Sequence, residues 1–188
     1  RAAERHRDRY KDKQVVPPAT MANTPENYTG KPMWVKNQRN SWHGVEFPYY
    51  GRSGQSLTEM YRHYCEMILS IDDSVGRVME SLRERGVAQN TLVLFTSDGG
   101  HFWGEHGLID KRCAYEESIR IPLLAHSPSL IKPGTKCEAV VANIDVAPTL
   151  LELAGLAIHE TVDGQSFAGL LKEPSATDSW RKALLYEY

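Results

Sequence analysis

The densest run of chemically capable side chains lies between Thr96 and Arg120, TSDGGHFWGEHGLIDKRCAYEESIR. Asp98 follows a short apolar, β-rich run, Thr91 to Thr96 (TLVLFT), which reads as a strand buried on both faces. Its carboxylate is therefore expected at the carboxyl end of that strand, where open α/β sheets place ligands. A carboxylate there, with Gly99 and Gly100 allowing close approach, suits a hard divalent cation that takes oxygen ligands. A plain turn-forming Asp-Gly satisfies the same residues. His101 and His106 stand five apart rather than at the i, i+4 spacing of a helical zinc pair, and Gly104 and Gly107 put them on a loop. There they either touch a substrate or face solvent. Lys111 and Arg112 form an adjacent cation pair, able to hold an anion or to sit in water.

The elements that must position these residues are legible on either side. Ser56-Leu57-Thr58-Glu59 has capping-box form, with Ser at the N-cap and Glu three residues on. Met60, Tyr64, Met67, Ile68, Ile71, Val75, Val78, Met79 and Leu82 then recur at the 3.6-residue period of one buried stripe. Gly86 stands where it would close this long amphipathic helix. Within the helix, Asp72-Asp73 is read as a solvated or salt-bridged pair, since adjacent helical residues point about 100° apart. After the polar run, Ile119 to His126 (IRIPLLAH) reads as a second strand, with Pro122 at an edge, a bulge or the strand's start. Ala139 to Asn143 (AVVAN) reads as a third strand. Asp145 is expected to cap a helix, VAPTLLELA, whose Pro148 falls in the first turn and which Gly155 ends. This order predicts a layered α/β domain with a mainly parallel sheet flanked by helices.

The whole chain has 188 residues, 41% hydrophobic and 24% charged, with 24 acidic and 22 basic side chains and a formal charge of −2. That is the size of one domain. The near-neutral balance argues against charge-driven binding to nucleic acid or to an anionic membrane, and no apolar run approaches the roughly 20 residues of a membrane span. Cys65, Cys113 and Cys137 form no CxxC pair and argue against a disulfide scaffold or a structural zinc site. Arg1 to Lys13, with six basic residues and three acidic, reads as a solvated helical face, and the start on Arg1 rather than Met as that of a fragment or a processed chain. Residues 14–55 carry five of the ten prolines (Pro17, Pro18, Pro25, Pro32 and Pro48) among scattered aromatics, Trp34, Trp42, Phe47, Tyr49 and Tyr50. Residues 1–55 are accordingly expected to wrap irregularly over an α/β portion spanning 56–188. Asn27-Tyr28-Thr29 fits a glycosylation acceptor, which matters only in a secretory setting.

Taken in order, TSDGG, GEHG, DKRCAYEESIRIPLL, SLIKPG, NIDVAPTLLELAGL and DGQSFAGLL resemble the later part of the domain of formylglycine-dependent sulfatases, in the alkaline phosphatase superfamily. The likeness covers roughly Leu57 to Tyr188, and Arg1 to Tyr28 is similar to the segment after the family's His-containing active-site loop. Asp98 and Lys111, thirteen residues apart, keep the family's spacing. The resemblance implies an alkaline-phosphatase-like fold, present as a partial domain, and hydrolysis of the sulfate ester of a small molecule or glycan. It implies a divalent cation, calcium in the family, and a formylglycine nucleophile. Carried over, Asp98 matches the downstream metal acid and Lys111 the lysine that stabilises sulfate oxygens, while His101 and His106 fall in the loop that faces substrate. Gly99 stands where many members have Asn or His, and water or His101 is expected to take that place. The nucleophile motif and the upstream acid pair are absent, so the rest of the same polypeptide is an expected partner and this chain alone is expected to be inactive. Export, to periplasm, extracellular space or lysosome, is the expected setting. A phosphoester or phosphonate hydrolase of the same superfamily and a non-catalytic carbohydrate-binding relative are the alternatives.

Overall fold

The computed structural model describes residues 2–46 and 56–187, so Phe47, Pro48, Tyr49 and Tyr50 lie outside the described residues. The chain divides into two compact units, Arg1–Ser81 with Gly99–Ile121, and Leu82–Asp98 with Pro122–Tyr188.

In the first unit, two short helices, α1 (Pro25–Tyr28) and α2 (Met33–Gln38), precede the long helix α3 (Leu57–Glu84). The capping box forms as the sequence predicts. The Glu59 N–H donates to Ser56 Oγ at 3.2 Å, and the Ser56 N–H donates to Glu59 Oε2 at 2.7 Å. At the far end Gly86 adopts φ +69°, its N–H bonds the Arg83 carbonyl, and the Val87 N–H bonds the Leu82 carbonyl, the paired bonds of a Schellman cap. The apolar period is present, but the expected buried stripe is not. Tyr64, Met67, Ile68, Ile71 and Val78 are all exposed, the last by 53%. Trp103 packs on Tyr61 and Tyr64 near the start of α3, and other described residues bond to its polar side. The Ala3 N–H donates to Ser70 Oγ, Arg5 and His6 meet Asp73, and Arg62 donates to the Lys13 carbonyl. Those bonds also explain why the solvated helix expected over Arg1 to Lys13 is replaced by a single 3-10 turn, Glu4–His6, and further turns. Asp73 is the salt-bridged member of its pair, with His6 Nε2 at 2.6 Å.

A small antiparallel pair, β2 (Phe102–Trp103) and β3 (Ile109–Asp110), folds the polar run back on itself, with Phe102 opposite Asp110 and Trp103 opposite Ile109. Val35, Phe102, Leu108 and Ile109 form the buried apolar residues beneath it. The Arg39 guanidinium is also buried there and is satisfied by Glu46 Oε1 at 2.9 Å and the Met21 carbonyl at 2.7 Å. Helix α4 (Glu116–Ile119) ends this part.

The second unit holds β1 (Val93–Thr96) and β4 (Leu123–His126), with Thr96 opposite Leu123. Pro122 stands just before β4, where no ladder donor is lost. Both ladders among the described residues are antiparallel, and the expected parallel pairing is not formed among them; helices with small sheets are consistent with a partial α/β domain. The third strand is also not formed: Ala139 and Val141 instead pack on a core of Phe167, Leu170 and Trp180. The Val140 carbonyl accepts the Trp180 indole N–H at 2.8 Å rather than a neighbouring strand's N–H. Helices α5 (Val146–Leu153) and α6 (Ala168–Lys172) complete the unit. Asp145 occupies the N-cap of α5 but makes no side-chain cap there, a correction to the sequence reading. Its carboxylate, 0% exposed, accepts the N–H groups of Ala142 and Gln165, each at 2.8 Å, and a forked pair from Arg181 at 2.7 Å.

Candidate active site

In the second unit Asp98 lies just past β1, exposed at the strand's carboxyl end, as expected. The strand end is tied down by Asn143, whose Nδ2 donates to the Ser97 carbonyl at 3.3 Å. Sequence reading did not single out Asn143, which lies 46 positions away and carries no local signal.

The other candidates lie in the first unit. Lys111 follows β3 and is half-buried. Its Cδ and Nζ each lie 3.2 Å from the position a Cβ on Gly99 would take, so the amine rests against the backbone of the residue that follows Asp98 in the chain. The backbone around Lys111 is strained. Asp110 and Arg112 both adopt left-handed φ, +68° and +87°. Residues held in such regions cost about 1–3 kcal/mol each and persist only where surrounding bonds hold them. Asp110 Oδ2 meets Arg112 Nε at 3.5 Å and His43 Nδ1 at 3.4 Å. Arg112 is thus paired with a nearby acid, Asp110, while Glu116 pairs with Arg120 at 3.6 Å. Ser118, buried, accepts the Arg112 N–H on its hydroxyl and the Gly100 N–H on its carbonyl. A Cβ on Gly100 would overlap the Glu117 carbonyl oxygen, so the close approach requires glycine.

His101 and His106 have different surroundings. His101 is exposed by area, with its ring 4.6 Å from that of Trp103, and desolvation lowers its pKa from the ordinary imidazole value. The His106 side chain is only 14% exposed and stacks on Tyr115 with centroids 4.0 Å apart. Its Nδ1 faces Lys31 Nζ at 3.1 Å and its Nε2 faces Glu117 Oε1 at 3.4 Å. Its backbone is left-handed, φ +57°, and its N–H donates to Thr20 Oγ1 at 3.2 Å. Lys31 and Thr20 stand 75 and 86 positions away and were invisible to sequence reading; Tyr115, Glu117 and Ser118 lie in the quoted YEES run without a local mark of their role. Beside Trp103 a groove of about 450 Å³ runs along Tyr10, Tyr61 and Arg62.

Among the described residues no three His, Cys, Asp or Glu side chains converge on one point. Asp98 fits as one oxygen ligand of a hard cation, and Gly99 adds no side-chain donor, against the about six to eight oxygens calcium takes. Also among the described residues, no helix is long and apolar enough to cross a membrane.

The structural neighbours of this chain are alkaline-phosphatase-like sulfatases, and its helices with small sheets are consistent with a part of that α/β fold. The family description "N-sulphoglucosamine sulphohydrolase, C-terminal" matches residues 104–188. An N-acetylglucosamine-6-O-sulfatase of Bacteroides thetaiotaomicron is 40% identical over 68% of this chain and 23% of its own length. The bovine (Bos taurus) N-acetylglucosamine-6-sulfatase is 40% identical over 75% of this chain and 25% of its own. A solved structure in complex with its substrate D-glucosamine-2-N,6-O-disulfate superposes with a TM-score of 0.76 at 26% identity, over 100% of this chain and 49% of that one. The chain belongs to the sulfatase family, as the C-terminal part of its domain. It spans about a quarter of the length of the curated relatives it matches.

Proposed function

We propose that this chain is the C-terminal part of a sulfuric ester hydrolase acting on a sulfated amino sugar, with Lys111 as the cation that meets the sulfate. The observation carrying this reading is the Lys111 amine lying against Gly99, the residue after the strand-end Asp98. The names of the relatives and the sulfated glucosamine bound in the similar structure support the substrate class.

In this reading Lys111 donates hydrogen bonds to sulfate oxygens and offsets the charge that builds on the sulfuryl group and leaving oxygen. Its ammonium is held in advance by a strained, bonded backbone, so little reorganisation accompanies the reaction. Asp98 supplies one ligand to a divalent cation, calcium by family resemblance, which when bound polarises the sulfate. The remaining ligands and the formylglycine nucleophile come from outside this chain, which by itself turns nothing over. His101, exposed and biased toward its neutral form, contacts the sugar as donor or acceptor. His106 shapes the same loop from beneath, both ring nitrogens being engaged by Lys31 and Glu117.

The test uses the full-length protein that carries this chain, assayed on glucosamine 6-sulfate and on a phosphonate monoester. Lys111→Ala should lower kcat and kcat/KM together by about 10²–10³, with KM changing less, as for an interaction made in the transition state. Arg112→Ala, which loses a partner of Asp110, should cost far less. Faster turnover of the phosphonate, a Lys111→Ala effect confined to KM, or a larger loss in Arg112→Ala would overturn the reading.

A further inference from the structure

We infer that Ser118 is the positioning residue that aims Lys111, by bonding at once to the backbone beneath the lysine and to the backbone that carries it. The inference rests on Lys111 being the sulfate-facing cation.

Ser118 is 7% exposed and sits on α4, where its own N–H is satisfied by the Tyr115 carbonyl at 2.9 Å. Its two acceptors reach in different directions. The carbonyl takes the Gly100 N–H at 2.8 Å, and the hydroxyl oxygen takes the Arg112 N–H at 3.2 Å. Gly100 adjoins Gly99, against which the Lys111 amine rests, and Arg112 is the residue directly after Lys111. The distance between the lysine and the Gly99–Gly100 backbone is thus a distance between two segments that Ser118 joins.

The hydroxyl bond matters more than an ordinary loop bond because of where it falls. Arg112 is one of the two left-handed residues flanking Lys111, and an arginine does not hold φ +87° by its own preference. Relaxing Arg112 toward an ordinary φ rotates the peptide that joins it to Lys111 and swings the amine away from Gly99. The Ser118 hydroxyl opposes that rotation by holding the Arg112 N–H. The carbonyl bond to Gly100 does not depend on the side chain and survives its replacement. Substitution at 118 therefore releases one segment while the other stays fixed.

The experiment is a double-mutant cycle in the full-length protein, with sulfate-ester kinetics and amide exchange as readouts. Ser118→Ala should lower kcat about tenfold or more, a loss in the range expected when a reacting group is misplaced by a fraction of an ångström, with KM moving less. In a Lys111→Ala background the same substitution should cost nothing further, because the group it aims is gone. Amide exchange should accelerate at Arg112 and stay slow at Gly100. Ser118→Thr and Ser118→Val, which share a shape and differ in the hydroxyl, should separate in the same sense, Thr retaining the activity that Val loses; this pair decides the matter should the alanine variant fold poorly. Losses that multiply in the cycle, or a valine variant as active as the threonine one, would overturn the inference. A Lys111→Ala variant with unchanged turnover removes the assignment of Lys111 and the inference with it. Collapse in Lys111→Ala beside normal kinetics in Ser118→Ala removes the inference alone.

Discussion

Arg181→Ala removes one half of the ion pair that closes the second unit. The Asp145 carboxylate has no exposed surface and receives two backbone N–H bonds at 2.8 Å and two guanidinium bonds at 2.7 Å. Deleting one partner of a buried pair leaves the other charge uncompensated, at about 3–5 kcal/mol. Here the backbone donors from Ala142 and Gln165 remain, and the Arg181 side chain keeps 17% of its surface in water, so the loss belongs at the low end, about 3 kcal/mol. For a chain of this size that corresponds to a fall in Tm of about 6–12 °C. Urea unfolding at neutral pH and calorimetry measure both quantities. Arg181→Lys keeps the charge but not the fork and should fall between the alanine variant and the parent. A loss under about 0.5 kcal/mol for Arg181→Ala, the range of ordinary surface changes, would show that the pair does not hold this unit together.

Gly99→Ala puts a methyl 3.2 Å from Lys111 Cδ and Nζ, closer than the about 3.5–4.0 Å of a relaxed contact, so the lysine must shift by a few tenths of an ångström. With a 1 Å misplacement costing about 10²-fold, kcat of the full-length protein should fall about three- to tenfold, and an unchanged kcat would show that the amine's place against Gly99 is immaterial. Asp98→Ala should lose bound divalent cation and activity together; full metal occupancy with normal kinetics would make Asp98 a turn residue only. Hydrogen bonds from His6 and Arg5 hold the Asp73 carboxyl below its ordinary value. A depressed carboxylate stabilises fully above its unfolded pKa, and that contribution disappears as pH falls through the folded one. Asp73→Asn should therefore flatten the loss of stability below about pH 4, and urea midpoints between pH 7 and pH 3 that fall in parallel in both proteins would count against the pair.

What the sequence made legible was local or ordered along the chain. Ser56 and Glu59 act within one turn, Gly86 ends α3 through its own backbone, and Pro148 sits in the first turn of α5. Asp98 could be put at the end of β1 because a strand end is a linear feature. The remainder depends on partners that no short window contains. Asp145 has the residue type and position of a helix cap, yet Arg181, 36 residues on, draws its carboxylate into a buried fork. His106 lies on the loop that Gly104 and Gly107 mark, but its engagement by Lys31 and Tyr115 had no local signal. Ala139 to Asn143 has strand composition, but composition does not supply a neighbouring strand, and Trp180 takes the Val140 carbonyl. The stripe on α3 is a true period, but among the described residues Met67, Ile68, Ile71 and Val78 of it stay exposed.

That uncovered stripe governs how the chain behaves as a colloid. Its helix runs for 28 residues, about 42 Å, with Met67, Ile68, Ile71 and Val78 open to water along it. Apolar surface left hydrated returns none of the roughly 25 cal/mol per Å² that burial supplies, so any surface able to cover it lowers the free energy. A net charge of −2 gives little long-range repulsion to keep copies apart. In a solution of the isolated chain, scattering intensity per unit mass should rise with concentration, and a dye that fluoresces on apolar surface should bind before any denaturant is added. Charged substitutions at Ile68 and Ile71 should suppress both while leaving the far-ultraviolet helix signal intact.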